Sequence, residues 1–169
     1  MKKKFLMMLL ALTMSATSFA QFEQGKKYVS TSLSGANLHF TGAEKWKFDL
    51  NAKVGYMIED NWMALAQLEY GYRKYEPNTL MMGVGARYYI VENGLFLGAG
   101  ANYCHRGVVG APIDDFIPTV HIGYAFFINK TVTIEPEFYY NQSLKDHSNF
   151  SDVGIRIGLG LYLDEIFGF

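Results

Sequence analysis

Two glutamates on one predicted strand are the side chains in this sequence that most suggest catalysis. Glu135 and Glu137 lie two positions apart in the segment "TVTIEPEFYYNQ", and a strand places residues at this spacing on the same face. Paired carboxylates can carry out general acid–base catalysis. They can equally serve as partners for confined cations such as Arg87 and Arg156. We favour this structural interpretation because confined charges need partners.

The remaining reactive residue types form no recognisable site. The histidines have no spacing typical of a metal site, and we predict that one of them points inward, His121; the other three lie at or near loops: His39, His105 and His147. Cys104 has no second cysteine to pair with and is interpreted as a small hydrophobic residue. We expect no metal and no cofactor.

The first twenty residues predict a cleaved secretory signal peptide. Three lysines at positions 2–4 precede an apolar stretch that is too short to span a membrane, and Ser18 and Ala20 supply small residues at a cleavage site. The next residue is Gln21 rather than cysteine, which argues against a lipoprotein anchor. Residues 21–169 are then a single domain with a formal charge of −4, because the whole chain carries −1 and loses three lysines. This charge gives no reason to expect a nucleic-acid partner.

The mature sequence predicts membrane-crossing strands rather than helices. Half of the chain is hydrophobic and 16% is aromatic, yet no stretch after Ala20 is long and apolar enough for a membrane helix. Short polar turns recur at "EDN", "ENG" and "NK", and longer loops lie between them. We predict an all-β, eight-stranded antiparallel up-and-down barrel with strands at Lys27–Ala36, Trp46–Ile58, Trp62–Arg73, Thr79–Val91, Leu95–Cys104, Phe116–Ile128, Thr131–Gln142 and Val153–Leu163.

Alternation along these strands separates an apolar face from a face of glycines and charges. The first strand, "KYVSTSLSGA", has no clear parity, and Pro136 lacks the donor that a strand needs, so it suggests a bulge. The polar face carries glycines that could make room for long side chains inside a narrow barrel. It also carries both signs of charge, which we predict to form a structural network inside the barrel: Lys47, Asp49, Lys53, Glu69, Arg73, Arg87, Glu135, Glu137 and Arg156.

Aromatic residues on the apolar face fall at two levels, as in the aromatic girdles of transmembrane barrels. The level near the tight turns contains Tyr56, Trp62, Tyr88, Tyr124 and Phe126. The level near the longer loops contains Trp46, Tyr70, Tyr72, Tyr103 and Tyr140. Glycines, balanced charges and girdles together favour an apolar face in lipid. In the least favoured alternative, a soluble lipocalin-like barrel that binds a ligand, the apolar face points inward.

The chain resembles the small outer-membrane β-barrel proteins of Gram-negative bacteria, the OmpA-like and OmpX-like barrels. The signal peptide, the alternating strands, the turns in "VENGLF" and "FINKTV", and the ending "VGIRIGLGLYLDEIFGF" carry the resemblance. It implies recognition of the terminal Phe169 by the barrel assembly machinery and an outer-membrane lipid environment with both termini in the periplasm. Because the sequence stops at Phe169, we expect no peptidoglycan-binding domain after the barrel. We also expect the protein to be monomeric.

The sequence leaves several roles open. We favour a non-enzymatic outer-membrane protein with a structural or surface-interaction role, in which loops such as "CHRGVVGAPIDD" (residues 104–115) bind a ligand or another surface. A narrow channel needs a continuous water path past Arg87, Glu137 and Arg156. The residues "DHS" at 146–148 invite comparison with outer-membrane lipid-A deacylases, which use a serine and a histidine. However, no nucleophile motif surrounds Ser148.

Overall fold

The computed structural model describes residues 22–34, 48–72, 79–90, 94–107, 113–147 and 151–164. They form nine β-strands: β1 (Lys27–Ser34), β2 (Phe48–Glu59), β3 (Trp62–Tyr72), β4 (Thr79–Tyr89), β5 (Leu95–Arg106), β6 (Ile113–Tyr124), β7 (Phe126–Phe127), β8 (Val132–Asn141) and β9 (Asp152–Leu163). In these ranges, no helix is both long and apolar enough to cross a bilayer.

The strands form one closed antiparallel barrel. Each strand pairs with the next along the chain, β1 pairs with β9, and β6 together with β7 pairs with β8. The barrel wall therefore has eight strand positions, as the sequence predicted, and β6 and β7 together occupy one of them. Closure leaves no free sheet edge, which a bilayer could not satisfy with hydrogen bonds.

The two ends of the barrel differ. At the end that we call the tight-turn end, short connections join β2 to β3, β4 to β5 and β7 to β8, and Lys27 of β1 lies opposite Leu163 of β9. Asn61 and Gly94 take positive φ angles of 65° and 73° in two of these connections, a backbone conformation that these residue types tolerate. Longer segments connect the strands at the opposite end, which we call the loop end.

Pro136 interrupts the hydrogen-bond ladder without forming a bulge, so the predicted bulge is wrong. Gly123 pairs with Glu137 and Phe126 pairs with Ile134, so the register is the same on both sides of the gap. The N–H of Ala125 donates to Gly94 on the β5 side. The polar backbone groups of Tyr124 therefore face Pro136, which has no N–H to offer. The missing donor divides the predicted sixth strand into β6 and β7.

The apolar face of the sheet points outward around the barrel. Exposed side chains include Val54, Val84, Val120, Phe138, Ile157 and Leu159. The opposite face is enclosed and carries charged and polar groups as well as aromatic rings. The uncertain first strand follows the same rule, since Tyr28, Ser30 and Ser32 are buried and Thr31 is exposed. This orientation is the reverse of a lipocalin-like barrel and removes the basis for that alternative.

Candidate functional site: the barrel interior and its loop-end rim

Glu135 is held by four donors in the half of the interior nearer the tight-turn end. Its Oε2 accepts hydrogen bonds from the Tyr28 hydroxyl at 2.6 Å and from Arg87 at 2.9 Å. Its Oε1 accepts from Thr133 at 2.9 Å and from Tyr162 at 3.0 Å. Both oxygens are engaged and the residue is buried. This arrangement holds a carboxylate in place and leaves it poorly suited to exchanging protons with a substrate.

Glu137 lies two residues further along β8, closer to the loop end, and forms ion pairs with three cations. Lys53 contacts it at 2.8 Å, Arg87 at 3.1 Å and Arg156 at 3.5 Å. Arg156 also contacts Glu69 at 2.9 Å, and Asn51 donates to the same Glu69 oxygen at 3.0 Å. Arg87 bridges the two levels because its guanidinium contacts both Glu135 and Glu137.

The connected charges balance: Lys53, Arg87 and Arg156 on one side, and Glu69, Glu135 and Glu137 on the other. The guanidinium groups also rest on aromatic rings, Arg87 3.9 Å from the Phe96 centroid and Arg156 4.4 Å from that of Tyr139. Enclosure of six charges, five of them buried and Glu69 partly exposed, is tolerable only with such partners. The interior is therefore a charge-paired network that crosses the barrel between β2, β3, β4, β8 and β9.

Inward-facing glycines give this network its room. An added Cβ at Gly160 would lie 2.7 Å from Oε1 of Glu135, and one at Gly154 would lie 2.6 Å from the Tyr139 hydroxyl. An added Cβ at Gly123 would overlap the Phe96 ring and lie 2.7 Å from the carbonyl oxygen of Pro136. Larger residues cannot be fitted at these positions without displacing the side chains or backbone that they contact.

An aromatic plug, which we define as Phe22, Tyr89, Phe96, Phe127 and Tyr162, fills the tight-turn end. The Phe22 ring stacks on Tyr89 with 4.0 Å between centroids and meets Phe127 and Tyr162 edge-on at 5.7 Å. The backbone of residues 22–25 is fixed beneath the barrel, because Asn61 donates to the Phe22 carbonyl and Gly25 donates to Met57. This plug lies across the path that a channel would need.

At the loop end, the basic and acidic ends of the segment 104–115 meet across β5 and β6. His105 contacts Asp114 at 2.7 Å, and Arg106 lies 3.7 Å from Asp115. Asp115 also accepts a hydrogen bond from the Ser143 hydroxyl and one from the Lys145 amide at 3.2 Å. Asp115 thereby ties the chain that follows β8 to the start of β6.

His147 contacts a serine other than the one the sequence suggested. Its Nδ1 lies 2.9 Å from the Ser151 hydroxyl and 2.8 Å from Nε2 of Gln142. Ser148 lies outside the described residues. Both contacts use the same ring nitrogen and neither partner is a carboxylate, whereas a serine nucleophile needs its histidine oriented by a third group through the other nitrogen. Across the described ranges, no group of three metal-ligating side chains comes together.

The other predicted positions divide into three groups. Lys47, Arg73, Trp46 and Phe169 lie outside the described residues, as does the predicted signal peptide, and only the backbone is described for Asp49 and Tyr72. The girdle aromatics that are described face outward, at the tight-turn end (Tyr56, Trp62, Tyr88, Tyr124 and Phe126) and toward the loop end (Tyr70, Tyr103 and Tyr140). His121 points inward, with its ring over Gly98.

Sequence reasoning missed the tyrosines of the network and the N-terminal residue of the plug. Tyr28 lies in the strand whose parity was unresolved, and Phe22 precedes the first predicted strand. The available signal was alternation, because Tyr89 lies two residues after Arg87 and Tyr162 lies six residues after Arg156, each on the same face as the arginine of its strand. Nothing in the local sequence indicates that their hydroxyls meet, yet they lie 2.7 Å apart.

Comparison with solved structures identifies the architecture. The chain superposes on the N-terminal β-barrel domain of Pseudomonas aeruginosa OprF with a TM-score of 0.59 and 13% identity, over 83% of this chain and 98% of that one. The fold is that of a small outer-membrane β-barrel.

Two further barrels match over similar lengths. The Yersinia pestis outer membrane protein Ail, solved in a phospholipid bilayer nanodisc, gives a TM-score of 0.56 at 11% identity, with 83% and 100% of the two chains covered. Neisserial surface protein A gives 0.52 at 14% identity, with 83% and 96% covered. No family model matches the sequence, and no curated protein has significant similarity to it.

Proposed function

We propose that this chain is an integral outer-membrane protein whose barrel acts as a rigid scaffold with a structural or surface-interaction role. The observation that carries the proposal is the inverted distribution of polarity. Large apolar side chains such as Val84, which is 68% exposed, cover the outside, while six charges are paired inside. An apolar exterior of this extent needs lipid, since soluble monomers expose only small apolar patches.

The scaffold interpretation fits the interior better than transport or catalysis does. The aromatic plug built on Phe22 opposes a continuous water path. The two contacts that the structure describes for His147, with Gln142 and Ser151, include no carboxylate of the kind that a hydrolytic triad uses. Loops tied to a rigid barrel are suited to recognition. The contacts of Asp115 with Ser143 and Lys145 give the loop end such a fixed base. We therefore assign any surface interaction to this end, with both termini of the mature chain on the periplasmic side.

Heat modifiability tests the proposal directly. Residues 21–169 would be refolded in detergent and run on a denaturing gel with and without boiling. We expect the unboiled sample to migrate faster and to have a β-rich circular dichroism spectrum, because a closed barrel resists the detergent of the gel. A protein that stays folded, soluble and monomeric without detergent would contradict the proposal. Expression of the full chain in a Gram-negative host, followed by membrane fractionation and N-terminal sequencing, tests export and the predicted cleavage after Ala20.

A further inference from the structure

Two prolines remove hydrogen-bond donors from the same boundary between strands. Among the strands that the structure describes, prolines occur only at Pro118 in β6 and Pro136 in β8. Gln142 donates to the Pro118 carbonyl at 2.8 Å, so the backbone of Pro118 faces β8, yet its ring nitrogen has no hydrogen to donate in return. Pro136 faces Tyr124 of β6. Both missing donors therefore belong to the boundary between β6 and β8, one from each strand.

The pattern of pairing shows which amides of β8 cross this boundary. In an antiparallel pair, opposite residues alternate between those that exchange hydrogen bonds and those that do not. Ile128 donates to Val132, and Gln142 donates to Pro118. Even-numbered residues of β8 therefore bond to β6 and β7, and odd-numbered residues bond to β9. Alternate amides of this one strand thus report on two different boundaries.

Between the two prolines, the boundary depends on two pairs that exchange hydrogen bonds, Val120 with Tyr140 and Ile122 with Phe138. We call this stretch of β6 and β8 the proline seam. At the loop end, it is bordered by the contacts of Asp115 with the chain that follows β8. At the tight-turn end, a short connection joins β7 to β8. The weakened stretch is therefore confined to the middle of the wall.

One side chain reaches across the proline seam from the interior. On the side of the barrel that contains the seam, β4 is separated from β8 by β5 and β6. Arg87 of β4 contacts Glu135 at 2.9 Å and Glu137 at 3.1 Å, the two residues that flank Pro136. The other cations of Glu137 belong to β2 and β9, which lie on the opposite side of β8. Separation of β6 from β8 would therefore stretch the ion pairs of Arg87.

We propose that the proline seam is the place where the barrel wall opens, and that the ion pairs of Arg87 with Glu135 and Glu137 hold it closed. An opening there connects the lipid-facing surface directly with the interior beside His121 and Tyr139, which pair at its centre. Local opening is easiest where the fewest interactions must break, and the other pairings between described strands lose no donor to proline. The ion pairs oppose opening because separation would leave enclosed charges without partners.

Amide hydrogen exchange tests the seam, and β8 contains its own control. The amides of Phe138 and Tyr140 cross the seam, whereas those of Glu137 and Tyr139 point to β9 from the same part of the strand. The refolded protein would be followed by NMR in detergent. After correction for intrinsic rates, we expect exchange at Phe138 and Tyr140 to be at least about tenfold faster. Equal rates, or faster exchange at Glu137 and Tyr139, would overturn the seam.

Restoring the two donors should reduce this difference. In a protein with both Pro118→Ala and Pro136→Ala, each alanine supplies the N–H that proline lacks, so exchange at Phe138 should slow toward the rate at Tyr139. As a matched control, Ile157→Ala changes an outward residue of β9 directly opposite Pro136 and adds no donor. It should leave the ratio of the two rates unchanged. If the double alanine variant also leaves the ratio unchanged, the prolines do not create the seam.

Arg87→Lys tests the closure. A lysine keeps the positive charge but lacks the forked guanidinium that contacts both carboxylates, so exchange at Phe138 should rise by a larger factor than at Tyr139. A parallel rise at both amides, or no rise at either, would show that Arg87 does not close the seam. If Arg87→Lys does not refold, Glu135→Gln weakens one of the two ion pairs and allows the same comparison. These readouts do not depend on location in a cell, so they are independent of the export test.

Discussion

The hydroxyl of Tyr28 donates a 2.6 Å hydrogen bond to Oε2 of Glu135, 107 positions later in the chain. The two residues lie on β1 and β8, which are separated by β9, so the bond passes over the intervening strand at Gly160. Arg87 of β4 donates to the same Glu135 oxygen, so this carboxylate connects three separate strands. Enclosed hydrogen bonds to charged groups of this kind couple distant strands and favour a single arrangement of the interior.

Removal of the Tyr28 hydroxyl should measure this bond. We expect Tyr28→Phe to lower the free energy of unfolding by about 1.5–3 kcal/mol, the usual worth of a hydrogen bond to a charged group. Urea unfolding in detergent, followed by the gel shift, provides the measurement. Tyr56→Phe removes a hydroxyl from the outer surface and should change stability by less than about 0.5 kcal/mol. Equal losses in the two variants would contradict the role of the bond.

Glu137 neutralisation should destabilise the barrel strongly. Glu137→Gln leaves Lys53, Arg87 and Arg156 with only two carboxylates, Glu69 and Glu135, and breaking a buried pair costs about 3–5 kcal/mol. The double variant with Lys53→Met restores the balance of charges. We therefore expect it to be more stable than Glu137→Gln alone in the same urea assay. Simple additivity of the two single losses would argue against coupling of these groups.

Two inward glycines should respond differently to the same substitution. Gly123→Ala forces a Cβ against the Phe96 ring and the Pro136 carbonyl, and we expect a loss of about 1–3 kcal/mol from overpacking. Gly158→Ala meets only ordinary contacts at 3.5 Å and should be tolerated. Refolding yield and urea midpoints of the two variants, compared side by side, check this difference. A Gly158→Ala protein as impaired as Gly123→Ala would show that the space beside Gly158 is filled.

Charged residues on the outer surface should be penalised according to depth. Val84 lies at the middle of β4, so Val84→Lys should cost about 2–4 kcal/mol in lipid vesicles, while Ile128→Lys beside the tight turn should cost about 0–1 kcal/mol. Both side chains are well exposed, at 68% and 61%, so packing does not explain a difference. Unfolding titrations in vesicles measure it. In a soluble protein, neither lysine would be unfavourable.

Trp62 should report the aromatic level near the tight turns. Trp62 is the first residue of β3 and is 44% exposed. The centroid of its indole lies 5.0 Å from that of the Tyr88 ring on β4. In a Trp46→Phe background, lipids brominated close to the headgroup should quench its fluorescence more than lipids brominated near the chain ends, because such rings favour the interfacial zone. Uniform quenching at all depths would remove the girdle interpretation of Trp62.

The sequence by itself predicted the eight strand segments of the barrel and, except for the first strand, which face of each points outward. Alternation is a local property, since successive side chains in a strand point to opposite sides. The run from Trp62 to Tyr72 is an example, in which the predicted and observed strands begin at the same residue. Turn chemistry at Asn61 and Gly94 is also local, because these residue types tolerate positive φ angles. Local rules could likewise place Arg87, Glu135, Glu137 and Arg156 on the polar face.

Only the tertiary structure decided which of those residues meet. Arg87 on β4 and Glu137 on β8 come together because closure of the barrel sets the register and spacing of strands that are not neighbours. No local sequence pattern encodes that spacing. The gap at Pro136 needed the position of Tyr124 on the facing strand before it could be distinguished from a bulge. Phe22 could be recognised as part of the plug only once Tyr89 and Tyr162 were seen to converge on it. A residue outside the strand pattern acquires its role from the space that the closed barrel leaves for it.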